Sequence, residues 1–165
     1  MFLFLFYISL SVESAEINTA NVHFTGNVYD TACNVAPDSV DKVIPLGFMY
    51  NVDLQKPNDA SDWKNFSINL IDCPSSTSTV NVSFVGTPDQ DNTDFYMNTG
   101  DADNVSVELE SSSGDILKNG YTKSIAINPS THAASVDMRT RAVTIKGSAE
   151  VGFITTVIQL NFTYQ

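Results

Sequence analysis

Ser61-Asp62-Trp63-Lys64 sets a serine and a lysine at S-x-x-K spacing, where an amine can take the proton of a nucleophilic hydroxyl. Acyl-enzyme families with that motif also need S-D-N and K-T-G segments and a helical scaffold, and this chain has none of these. Asp89, Asp91, Asp94, Asp101 and Asp103 fall in one loop region, with no Lys or Arg between Lys64 and Lys118. Carboxylates grouped in this way can hold calcium. The EF-hand spacing fails, because Asp94 stands where that loop needs glycine, so a solvated acidic loop is the expectation. His23 and His132 lie far apart, and no Ser or Cys near either stands in a nucleophile motif. Asn65, Asn81, Asn104 and Asn161 each open an N-x-[ST] sequon. In a eukaryotic chain these would mark a cell-surface immunoglobulin-like domain; on alternating strands they read as polar residues of solvent faces.

Cys33 and Cys73 are the only cysteines, 40 residues apart. Redox C-x-x-C spacing is absent, and two Cys with two His leave little material for a transition-metal site. No catalytic residue, metal or cofactor is expected, so the chain does not read as an enzyme.

The 165 residues are 42% apolar and 16% charged, which is one domain's worth of core and too apolar for a disordered chain. The net charge of −11 repels phosphate backbones, so nucleic acid is not an expected partner. No apolar run reaches the roughly 18 residues of a membrane span.

Residues 1–15 read as a secretory signal: an apolar run from Phe2 to Val12, then Ser14 and Ala15 for cleavage. The basic leader is missing, since no Lys or Arg precedes Lys42, so the expectation includes a truncated or misplaced start. The alternative is a buried N-terminal strand. In the oxidising compartment that export implies, Cys33 and Cys73 bond; otherwise they are two buried thiols.

The hydrophobic period is 2 almost throughout. Val22, Phe24, Gly26 and Val28 form one set, Phe66, Ile68 and Leu70 another, and Val80, Val82 and Phe84 a third. Val105, Val107 and Leu109 alternate with Ser106, Glu108 and Glu110. Ile125 and Ile127 make a short set, then Val136, Met138, Thr140 and Ala142 oppose Asp137, Arg139 and Arg141. Ile158, Leu160, Phe162 and Tyr164 close the chain. Turn clusters such as Cys73-Pro74-Ser75-Ser76 and Ser113-Gly114-Asp115 separate these runs, and 51–63 has room for one helical turn. This pattern predicts an all-β sandwich of half-buried strands, one face in the core and one in solvent.

Two features fit an ordinary sandwich poorly. The last alternating run ends at Gln165 with no turn after it, and residues 16–29 form an alternating run upstream of Cys33. A terminal strand without a neighbour is a hazard, which pairing with another chain removes.

The stretch Ala20-Asn21-Val22-His23-Phe24-Thr25-Gly26-Asn27-Val28, followed by Thr31-Ala32-Cys33-Asn34-Val35, resembles the N-terminus of chaperone–usher pilins. The end from Gly152, fourteenth from the terminus, through alternating apolar residues to the penultimate Tyr164 resembles their C-terminal motif. Within the family, Ala60–Trp63, Asp72–Pro74, Val107–Asp115 and Arg141–Ile145 are most similar to the minor tip-adaptor subunits of type 1 fimbriae.

The resemblance implies an immunoglobulin-like sandwich lacking its seventh strand, over residues 30–165, with a donor-strand extension at 16–29. Ala20, Val22, Phe24, Gly26 and Val28 would fill a neighbour's groove. Gly152, Ile158, Leu160, Phe162, Tyr164 and Gln165 would form the acceptor groove and meet the chaperone. Implied partners are a periplasmic chaperone, an outer-membrane usher and neighbouring subunits including a tip adhesin, with no small-molecule substrate. The implied destination is a surface fimbrium reached through the periplasm. A major rod subunit is the rival within the family, and a glycan-binding adhesin module or a secreted enzyme the rival outside that role.

Overall fold

Period-two alternation becomes eight antiparallel strands in the computed structural model, which describes residues 22–26 and 32–165. They are β1 (Asn34–Val35), β2 (Lys64–Ile71), β3 (Thr79–Val85), β4 (Tyr96–Met97), β5 (Ser106–Ser111), β6 (Thr122–Ala126), β7 (Ala134–Val143) and β8 (Gln159–Tyr164). A single 3-10 turn at Asn51–Leu54 is the helical turn expected between 51 and 63. The signal segment 1–15, its cleavage site, Ala20 and Val28 lie outside the described residues.

The strands make two sheets, ordered β1-β2-β7-β5-β4 and β6-β3-β8. Their inner faces hold the core. Leu70 on β2, Val80, Val82 and Phe84 on β3, and Val136 and Met138 on β7 are all buried, as their alternation predicts. Each contributes about 1.5–3 kcal/mol. The Cys33–Cys73 disulfide fastens the chain before β1 to the end of β2. Closing a 40-residue loop stabilises the fold by about 4 kcal/mol in the chain-entropy picture.

One expectation about alternation fails. β5 does not present its polar residues to solvent: all six of its residues are buried. The cause is cross-strand pairing with β7, which sets Glu108 opposite Arg141 and Glu110 opposite Arg139. Each arginine holds its glutamate at 2.6 Å. The two guanidinium groups in turn lie 4.3 and 4.2 Å from the Trp63 ring centre, within cation–π reach. Trp63, two arginines and two glutamates thus roof the outer face of the five-stranded sheet.

Candidate functional site

β8 is an edge strand: among the described residues it pairs with β3 and nothing else. The register shows which of its groups are free. Thr79 and Gln165 exchange both main-chain hydrogen bonds, at 3.1 and 2.9 Å. In an antiparallel pair such doubly bonded positions alternate with unbonded ones. Thr163, Asn161 and Gln159 therefore bond to β3, while Tyr164, Phe162 and Leu160 turn their N–H and C=O groups the other way. The same three side chains are half-buried against the core.

This parity continues upstream of β8. Thr155 O accepts from Thr99 N–H at 2.8 Å, and Phe153 O accepts from Ala102 N–H at 3.1 Å. Ile154, Thr156 and Ile158 are half-buried, whereas Phe153, Thr155 and Val157 are exposed. Among the described residues no main-chain hydrogen bond engages Ile154, Thr156 or Ile158. The open edge thus runs from 154 to 164, about 33 Å of extended chain.

The opposite wall is the segment that follows Cys33. Tyr164 Oη donates to Cys33 O at 3.3 Å at one end. At the other, Met49 and Leu54 share a small cavity of about 90 Å³ with Gly152 and Ile154. Leu46 packs against both apolar clusters between these ends. Among the described residues no main-chain hydrogen bond joins this wall to the open edge. The lane between them is apolar at its floor and carries unpaired backbone groups along one side, which is what an added strand needs.

Of the residues singled out in the sequence, Ile158, Leu160, Phe162 and Tyr164 line this lane. Gly152 sits at its end, with its α-carbon so close to Ala102 that a β-carbon would strike the Ala102 backbone. Gln165 is occupied through its main chain by Ser78 and Thr79. Val22 and Phe24 are 72% and 92% exposed, so the described part of the donor segment does not enter the chain's own core. Burial raises the Tyr164 pKa.

The other candidates are taken up by structure. Ser61 Oγ accepts from Ala142 N–H at 3.1 Å, and Ser61 N–H donates to Ala142 O, extending the β7 edge rather than facing a substrate. In the acidic loop, Asp91 pairs with Lys146 and Asp94 with Lys118, at 2.7 and 2.8 Å. Asp89 accepts from Ser106 Oγ and from the Asp91 and Asn92 amides. These lysines are distant in sequence, and both pairs lie at the surface, in keeping with a solvated loop. His132 Nδ1 lies 3.0 Å from Cys73 O, and His23 is exposed. Asn98 was not singled out, and Asp101 was read only as part of the acidic loop. They hold the segment before β8, and Asn98-Thr99-Gly100 signals only a turn.

No family model matches the chain. The chain is 35% identical to Protein FimG of Escherichia coli (strain K12), over 94% of its own length and 92% of the relative's. It is 34% identical to the uncharacterized fimbrial-like protein YdeR of the same strain, over 92% and 90%. Among solved structures, a chaperone–usher pilus subunit superposes with a TM-score of 0.68 at 18% identity, covering 93% of this chain and 100% of that one. The two-sheet fold whose last strand is paired on one side only, and 35% identity over nearly the full length to a fimbrial protein, lead to one conclusion: the chain belongs to the family of chaperone–usher fimbrial subunits.

Proposed function

We propose that this subunit polymerises by strand exchange, accepting a neighbour's N-terminal extension beside β8 and giving its own residues 16–29 to the next subunit. The observation that carries this reading is the parity of the open edge. The residues whose side chains floor the lane, Leu160, Phe162 and Tyr164, are also those whose backbone groups are free. A strand laid there gains main-chain hydrogen bonds, about 0.5–1.5 kcal/mol each, and buries alternate side chains at about 1.5–3 kcal/mol each. In the donor run, Val22, Phe24 and Val28 supply the apolar side chains, with Ala20 and Gly26 where little space is needed.

Before assembly a periplasmic chaperone covers the same edge and grips the Gln165 carboxylate, and an outer-membrane usher exchanges it for the incoming extension. The acidic surface suits steering by a basic chaperone. The subunit's place is a minor adaptor near the fibre tip, next to an adhesin. The support for this is the resemblance of Ala60–Trp63, Asp72–Pro74 and Val107–Asp115 to tip adaptors. The role is structural, with no chemistry at the groove.

The test is native mass spectrometry of the subunit bound to a matched chaperone, after addition of synthetic peptides copying candidate partners' extensions. Release of chaperone with one peptide retained per subunit is the expected result. The peptides that succeed identify the neighbours and separate adaptor from rod. A stable subunit that needs no chaperone and ignores every peptide would overturn the proposal.

A further inference from the structure

The backing strand β3 ends at Val85, opposite Gln159, yet the open edge continues to Ile154. A different element supports that extension, the loop after β4. Backbone bonds from Thr99 and Ala102 satisfy only the carbonyls of Thr155 and Phe153. Their amides are satisfied by side chains. Asn98 Oδ1 accepts from Thr155 N–H at 2.8 Å and from Gly100 N–H at 2.9 Å. Asn98 Nδ2 donates to Ala102 O at 2.8 Å and to Phe153 O at 3.3 Å. The Asp101 carboxylate accepts from Phe153 N–H. A β-carbon on Gly100 would strike the Phe153 carbonyl, so the two segments meet backbone to backbone.

We propose that Asn98 and Asp101 are positioning residues for strand acceptance, lengthening the acceptor edge beyond β3 to Ile154 and Thr156. By taking the amides of residues 153 and 155, whose carbonyls Thr99 and Ala102 already hold, they leave the polar main-chain groups of 154 and 156 turned toward the lane. They also border the cavity at its end, since Asn98 holds Ala102 to Phe153, and Ala102 and Gly152, the residue before Phe153, line it beside Met49, Leu54 and Ile154. Without them, water competes for the amides of 153 and 155, and the lane shortens to the β8 portion. This inference rests on the acceptor reading above.

The experiment is residue-resolved amide exchange by NMR on the full chain, with and without a synthetic peptide copying residues 16–29. In the wild-type protein the peptide is expected to protect the amides of 154, 156, 160, 162 and 164. In Asn98→Ala, protection at 160, 162 and 164 stays and that at 154 and 156 is lost, with binding about tenfold weaker, the equivalent of 1.4 kcal/mol. The β3-bonded amides of 161 and 163 exchange at the wild-type rate, which separates this effect from general loosening. Equal protection of 154 and 156 in the variant, or uniform loss along the whole edge, would overturn the positioning role. No protection in the wild-type protein by this peptide or by any peptide copying a candidate neighbour's extension would overturn the acceptor reading itself. Should Asn98→Ala fail to fold, Asp101→Ala removes the partner of the Phe153 amide and carries the same test at Ile154.

Discussion

Tyr164 donates its phenolic hydrogen bond across 131 residues of sequence to the carbonyl oxygen of Cys33. The bond joins the end of β8 in one sheet to the start of the chain's run along the other. Cys33 is itself tied to Cys73 by the disulfide, so both walls of the lane share one anchor at this end. Tyr164→Phe keeps the ring and removes the tie. A loss of about 0.5–1.5 kcal/mol in urea unfolding is expected, with the slope unchanged. An unchanged midpoint would show that the bond contributes nothing.

Phe24→Arg tests the donor half of the assembly. The ring is 92% exposed, so the variant is expected to keep its thermal midpoint and its capture by a chaperone. It should fail to enter a neighbour's apolar lane, because burying an unpaired guanidinium is costly. Fibre length by electron microscopy reads the outcome, and fibres of normal length would remove Phe24 from the donor strand.

Leu160→Asp tests the acceptor half. Leu160 packs against the core from the middle of β8, opposite Phe84. A carboxylate there forfeits about 1.5–3 kcal/mol of apolar burial and charges the lane floor. Periplasmic yield and peptide retention should both fall sharply. Normal yield with normal retention would argue that Leu160 does not line the site.

Arg141→Ala strips the partner from Glu108, whose side chain is 6% exposed. Breaking a buried pair from one side leaves an uncompensated charge, and roughly 3 kcal/mol of destabilisation is expected. Replacing both residues, Glu108→Leu with Arg141→Met, should recover much of that loss in the same denaturation measurement. A double variant as unstable as the single one would place the cost in the Trp63 stack instead.

Tyr96 supplies a pH prediction. Its hydroxyl donates to Leu117 O at 2.7 Å with the ring fully buried, and burial pushes its pKa well above the ordinary 10.0. The unfolded chain releases this proton near pH 10 while the folded one retains it. The stabilisation is therefore complete below pH 10 and is lost as pH climbs above it. Tyr96→Phe should flatten this alkaline decline while lowering stability at neutral pH by about 1–3 kcal/mol, because the Leu117 carbonyl loses its donor. An alkaline decline of the same steepness in the variant would assign it to other groups.

Much of the fold was legible along the chain. The alternations at Val80–Phe84, Val136–Ala142 and Leu160–Tyr164 became β3, β7 and β8, because a strand turns successive side chains to opposite faces whatever surrounds it. β5 was misjudged at Glu108 and Glu110 because the arginines that cover them arrive about 30 residues later, by strand pairing. The lysines that pair with the acidic loop are likewise supplied by distant segments, so those contacts were not legible, whereas its solvated character was.

What the sequence determined by itself is the set of local periodicities, the cysteine pair and the family resemblance carried by the two ends. Only the tertiary structure decided that β8 has one bonded and one open edge, that the open edge belongs to the half-buried residues, and that Asn98 and Asp101 prolong it. The reason is physical. Period and propensity are properties of consecutive residues, whereas an unpaired edge is a relation between strands far apart in sequence. Which main-chain groups stay free depends on which neighbour has taken the others.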